Sequence, residues 1–223
     1  LETGRFFLPV GCPIFGFEID YIGLNQNDYM KPGWHSRGYL PHFDGPNIVQ
    51  SITFRLADSL PKRVVDAWHE ELATESDADR RMEILSRSHM YLDGSYGRCH
   101  LRQPELAQIV EDSLLHFDSE RYLLLAWVIM PNHVHVLVEI TDDELMSSVV
   151  WGWKAFTARQ INQRLGRSGQ IWQREYFDRY IRNTEHLHNA VQYIEQNPVK
   201  SRLVRNADEY RWSSAGYRTR FID

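Results

Sequence analysis

Cysteine is almost missing from this chain: Cys12 and Cys99 are the two present, and their spacing suits neither a zinc site nor a disulfide framework. They read as free thiols of a reducing compartment, so the expected location is cytoplasmic. Long apolar runs are missing as well. No stretch reaches the roughly 18 residues that a membrane-spanning helix needs. The most apolar one, Tyr122 to Met130, has the length of a strand, so no membrane partner is expected. The first residues, Leu1-Glu2-Thr3-Gly4-Arg5, lack the basic, apolar and small-residue series of a secretion signal. They also lack an initiating methionine, the first being Met30. The expectation is therefore an N-terminal extension over residues 1–34, with translation beginning at Met30 and residues 1–29 placed upstream of the true start. A peptide from residues 1–29 in the mass spectrum of the natively expressed protein contradicts this. No internal repeat or low-complexity tract stands out.

What is there is an ordinary soluble composition. At 43% hydrophobic residues, a chain of 223 is long enough to bury a core without staples. The net charge of −5 argues weakly against a nucleic-acid partner, but it is unevenly spread. Residues 1–150 hold 12 Lys/Arg against 23 Asp/Glu, a net of −11, whereas residues 151–223 hold 13 against 7, a net of +6. A basic C-terminal third supplies the electrostatic footprint that phosphates require, although a solvated surface has the same composition.

Residues 48–56 alternate and are β-branched, which predicts a strand. Asp58-Ser59-Leu60-Pro61 reads as a cap followed by proline at an early helical position, opening a helix to about Thr74. A second helix is expected over residues 76–90, a loop over 94–97, and an amphipathic helix from Pro104 to Phe117. Tyr122–Met130 and His133–Ile140 read as two strands joined by a tight Pro131-Asn132 turn. Asp142-Asp143-Glu144 suits the positive end of a helix running to about Leu165. Tyr176–Arg182 reads as a strand, and Thr184 as the cap of a helix ending at Asn197-Pro198. The order gives an α+β domain with a hairpin at its centre, an antiparallel sheet with helices on one face.

Two clusters carry chemistry. His133 and His135 lie two apart on the second hairpin strand, so both imidazoles share a face while Val134, Val136 and Val138 take the other. Paired imidazoles on a rigid strand suit a metal ion; two half-exposed histidines on a sheet are the plain alternative. Tyr193 and Asn197 lie four apart on the last helix and share its face. An amide oxygen beside two imidazoles favours a divalent ion such as Mg2+ or Mn2+, and a tyrosine on that face is placed to attack a phosphate held there. The plain alternative is a packed aromatic and a helix C-terminal asparagine. His186 and His188 are also two apart, but on a helix they point roughly 200° apart and are poor joint ligands.

With these residues in place, the sequence resembles the single-tyrosine HUH transposases, and among them the REP-associated branch. Met130-Pro-Asn-His-Val-His-Val-Leu-Val is similar to the HUH motif. Trp153-Lys154-Ala155-Phe156-Thr157, Ile171-Trp172-Gln173-Arg174-Glu175-Tyr176-Phe177-Asp178 and Tyr193-Ile194-Glu195-Gln196-Asn197-Pro198-Val199-Lys200 resemble stretches of that branch. The likeness extends back through Arg37–Phe43 and Phe54–Pro61, so it covers about residues 35–217, with inserted helices about 61–117 and a tail at 218–223.

The resemblance implies a ferredoxin-like HUH fold with the His-x-His strand at its centre. It implies that His133, His135 and Asn197 hold the divalent metal and that Tyr193 is the nucleophile. The implied activity is cleavage and rejoining of single-stranded DNA at hairpin, REP-like sequences through a 5′-phosphotyrosine, by a monomer or homodimer. Charge nominates Lys154, Arg159, Arg164, Arg167, Arg174, Arg179, Arg182, Lys200 and Arg202 for phosphate contact, and Trp151, Trp153 and Trp172 for stacking on bases. A phenol with a pKa near 10 needs a cation nearby to ionise, and the sequence alone does not name it. Two other functions fit the same residues: a nucleic-acid-binding module that has lost catalysis, and a metal-dependent phosphoesterase that does not use Tyr193.

Overall fold

The structure, a computed structural model, describes residues 33–36, 41–44, 47–141 and 144–220. The reading of residues 1–29, Cys12 and the Arg37–Gly38–Tyr39–Leu40 stretch lies outside them. Two short strands, β1 (Gly33–Ser36) and β2 (Pro41–Asp44), pair antiparallel as a separate ribbon.

The main sheet is built from β3 (Val49–Arg55), β4 (Tyr122–Ile129), β5 (His133–Ile140) and β6 (Phe177–Tyr180). Its order is β4-β5-β3-β6, and every pairing is antiparallel. Between β3 and β4 run α1 (Lys62–Glu71), α2 (Asp77–Asp93) and α3 (Pro104–Leu115); α4 (Met146–Arg164) joins β5 to β6. This strand order is that of a ferredoxin-like βαββαβ domain, with β5 flanked on both sides. After β6 come α5 (Thr184–Lys200) and α6 (Ser214–Thr219).

Period-two alternation divides the core between the two sheet faces. Val134, Val136 and Val138 of β5 and Ile52 and Phe54 of β3 face Leu106, Val110 and Leu114 of α3 and Val149, Val150 and Trp153 of α4. The opposite face, with Leu137, Val128, Leu125 and Val49, packs on Ile194 of α5. Helices therefore cover both faces, not one. The central strands carry apolar residues on both sides, and a second cover is needed to keep the second set from water.

Several boundaries shift for local reasons. Pro61 is the N-cap of α1, and Asp58 is drawn off to accept the Arg98 N–H at 3.0 Å. Helix α2 reaches Asp93, three residues past expectation, behind a Ser76 cap whose hydroxyl accepts from the Asp79 N–H. Glu144 does not open α4; it binds Arg121 through two contacts of 2.5 and 2.6 Å, and the helix starts at Met146. Asn183, one residue earlier than expected, caps α5 by accepting the His186 N–H at 2.8 Å. That helix does not stop at Asn197-Pro198. Pro198 removes one hydrogen bond, to the Ile194 carbonyl, and the ladder resumes with Ser201 N–H donating to the Asn197 carbonyl at 2.9 Å. Asn197 is thus a true helical residue one turn beyond Tyr193.

Candidate active site

The hairpin turn positions the first histidine. The Met130 N–H donates to the His133 carbonyl at 2.8 Å, closing a two-residue loop around Pro131 and Asn132. Asn132 is fully buried, and its backbone carbonyl accepts from the Leu56 N–H. Its side-chain Nδ2 donates to the Tyr96 carbonyl at 2.9 Å, which fixes the amide so that Oδ1 faces the Nδ1 of His133 at 2.7 Å. That oxygen only accepts, so His133 carries its proton on Nδ1 and leaves Nε2 as a lone pair. His135 is held by Thr53 of the adjacent β3, its Nδ1 2.7 Å from the hydroxyl oxygen.

Both rings are buried, and their Nε2 atoms face each other at 3.0 Å. Burial pushes the His133 pKa down to about 3 and holds that of His135 well below its ordinary value, and each neighbouring imidazole adds to the effect. Both are therefore neutral, the form that ligates metal. Donors about 2.1 Å from an octahedral ion and at right angles to each other lie about 3.0 Å apart. The imidazole pair has that spacing.

Helix α5 brings up the next two groups. The Tyr193 ring stands edge-on to that of His135, with centroids 5.4 Å apart. Asn197 is fully buried, and neither its Oδ1 nor its Nδ2 closes a sound hydrogen bond among the described residues. Burial raises the Asp93 pKa, and the nearby amide only partly offsets this. Burial, and then the Asp93 charge, push the Tyr193 phenol up to about 12, and its hydroxyl also has no hydrogen-bond partner. A cation lies beside this ring: the Lys200 Nζ is 4.8 Å from the Tyr193 ring centroid.

Two further groups come from α2, which motif spacing did not flag. His89 and Asp93 lie four apart, so they share a face of the helix. The His89 ring is 5.9 Å from that of His135 and 6.3 Å from that of Tyr193, and burial lowers its pKa to about 4, with Arg179 adding to the effect. Asp93 Oδ1 lies 3.9 Å from His133 Nε2, and one ligand atom each from Asp93, His133 and His135 falls within 4.8 Å of the others. Candidate ligand atoms from β5, α2 and α5 thus meet in one corner. Two imidazole nitrogens, a carboxylate oxygen and an amide make a donor set that fits a divalent ion.

The basic residues do not form one stripe. Arg159 and Arg164 sit on α4, across the sheet from the histidines. Arg179 and Lys200 belong to the histidine side. Arg174, Arg182 and Arg202 are exposed, and Arg167 is half-buried. Lys154 is engaged internally: it donates to the Arg174 carbonyl at 2.7 Å, and burial lowers its pKa to about 8. Of the tryptophans, Trp153 and Trp172 are core residues whose indole N–H groups donate to the Tyr122 and Thr157 hydroxyls. They are unavailable for stacking, whereas Trp151 is 71% exposed. His186 is occupied locally, its Nδ1 accepting from the Arg182 N–H.

The fold is an antiparallel ferredoxin-like sheet with the paired histidines on a central strand. Residues 100–197 match the model of the family Transposase IS200 like. A REP-associated tyrosine transposase of Escherichia coli is 27% identical over 110 residues, covering 48% of this chain and 63% of that protein. A candidate REP-associated tyrosine transposase of Haemophilus influenzae is 33% identical over 101 residues, covering 40% of this chain and 57% of that protein. The chain therefore spans about three fifths of the length of these relatives. The structure of a REP-associated tyrosine transposase bound to a REP hairpin superposes with a TM-score of 0.54 at 19% identity, over 81% of this chain and 84% of that one, and shares its fold. Among the described residues, no helix is long and apolar enough to cross a membrane.

Proposed function

We propose that this protein is a transposase of the REP-associated kind, a metal-dependent enzyme that nicks and rejoins single-stranded DNA beside a hairpin through a covalent phosphotyrosine. The observation that carries the reading is the Tyr193 ring standing 5.4 Å from His135, beside two neutral imidazoles whose Nε2 atoms lie 3.0 Å apart. His133, His135 and Asn197 would hold the ion, Mg2+ or Mn2+, which would supply Lewis-acid polarisation of the scissile phosphate.

The chain's own residues do the rest. Tyr193 loses its proton to solvent, and the neighbouring Lys200 ammonium offsets the charge that forms on the phenol oxygen. That oxygen bonds to phosphorus as the bond to the 3′ oxygen breaks. The leaving oxygen takes a proton and becomes a free 3′ hydroxyl. One phosphodiester is exchanged for another, so the bond energy is kept for resealing and no nucleotide cofactor is required. Arg179, Arg182 and Arg202 carry backbone phosphates, and exposed Trp151 offers a base a stacking face. Both histidines, the tyrosine and the amide come from one chain, so a monomer suffices and a homodimer is not required for chemistry.

The test uses a hairpin oligonucleotide with single-stranded flanks, labelled at one end or the other, incubated with Mn2+ or Mg2+. The reading expects protein-linked label on the fragment that keeps the 5′ phosphate, and none when EDTA is present. Tight binding without cleavage under every metal tried points instead to a retired binding module.

A further inference from the structure

Helix α2 belongs to the long connection between β3 and β4, and its last turn ends in the candidate site. The Asp93 carboxylate is half-buried, and its Oδ1, screened from solvent, makes no hydrogen bond to the described residues. A buried anionic oxygen without a donor is costly. Here it lies 3.9 Å from the lone pair of His133 Nε2, a nitrogen that cannot donate to it because the ring proton is fixed on Nδ1 by Asn132. The oxygen thus lies among His133, His135 and Asn197, none of which offers it a well-formed hydrogen bond.

We propose that Asp93 is a direct ligand of the divalent ion, adding a carboxylate to the two histidines and the Asn197 amide, so that the inserted helix α2 is fastened to the hairpin by the metal. The inference rests on the metal-assisted reading above and adds to it an anionic ligand, supplied from an element other than β5 and α5. Two consequences follow. A carboxylate raises affinity for a divalent ion well above what two imidazoles and an amide provide, because it is the one charged donor of the four. And α2 becomes an element whose docking depends on the ion, so the metal stabilises the last turn of α2 as well as the hairpin.

The experiment measures Mn2+ binding to the full chain by titration calorimetry, with no DNA present, for the unaltered protein and for Asp93→Asn, Asn197→Ala and His135→Ala. Hydrogen exchange of residues 84–93 is followed with and without Mn2+. Asp93→Asn is isosteric at a partly exposed site, and circular dichroism confirms its fold before titration. The proposal expects Asp93→Asn to weaken Mn2+ at least tenfold, more than Asn197→Ala does, and Mn2+ to protect residues 84–93 in the unaltered protein but not in that variant. Unchanged affinity in Asp93→Asn, or protection of α2 that survives the substitution, overturns it. If His135→Ala alone abolishes binding, Asp93 is not a ligand while the proposed function stands. If the unaltered protein binds no Mn2+, the metal-assisted reading fails together with this proposal.

Discussion

Acidification of the metal-free protein should destabilise it well before ordinary carboxylates are titrated, and the size of the effect follows from the buried imidazoles. His89 is lowered to about 4, His133 to about 3 and His135 well below the ordinary value, all chiefly by burial. In the unfolded chain each returns to about 6.5. Below that pH the unfolded state binds protons that the folded state refuses. The stabilising contribution is therefore complete above about pH 6.5 and is lost as pH falls towards the folded values. At pH 5.5 each of the three costs between about 1 and 2 kcal/mol, and together roughly 4 kcal/mol, against a total of about 5–15 kcal/mol for a typical domain. His100 and His186, also lowered by burial, add in the same direction. Urea unfolding at pH 7.5 and 5.5 in EDTA reads the difference as a fall in midpoint, and His89→Leu should flatten the pH dependence by about a third of the three-histidine total. An unfolding midpoint that is the same at both pH values would show that these rings accept protons as exposed histidines do, and the claim that burial keeps them neutral would be wrong.

Three other outcomes follow from the same geometry. Asn132→Ala removes partners from His133 Nδ1 and from the Tyr96 carbonyl; it should cost about 2–3 kcal/mol in chemical denaturation and weaken Mn2+ binding about 10–100-fold, since the ring loses its orientation. Trp151→Ala should leave the melting temperature nearly unchanged while weakening single-stranded DNA binding by about 1–3 kcal/mol, whereas Trp153→Ala should destabilise the fold by about 3–5 kcal/mol. Lys200→Gln should slow single-turnover cleavage about tenfold, equivalent to about 1.4 kcal/mol, and move the rate–pH profile to higher pH without changing the far-ultraviolet dichroism.

The hairpin and its histidines were legible because a strand's period of two is local: once Tyr122–Met130 and His133–Ile140 were strands, the placement of His133 and His135 opposite the valines followed. Tyr193 and Asn197 were legible for the parallel reason on a helix, and more firmly than the expected stop at Asn197-Pro198 allowed, since α5 runs on to Lys200. His89 and Asp93 were not legible. Their spacing marks a helix face, but which face meets the hairpin depends on packing across more than forty residues of connection. Trp153 and Trp172 show the same limit in reverse. Aromatic residues in a basic stretch suit base stacking as well as they suit a core, and only the indole hydrogen bonds to Tyr122 and Thr157 decide between them. Glu144 likewise had good chemistry for a helix start, and a distant Arg121 claimed it.

The central claim is that the Tyr193 oxygen is the atom that takes the DNA. Peptide mass spectrometry of the protein after reaction with Mn2+ and a flanked hairpin oligonucleotide reads this directly. The account predicts a nucleotide mass added to Tyr193 and no adduct from Tyr193→Phe; a full yield of covalent product in that variant, or an adduct on another residue, contradicts it.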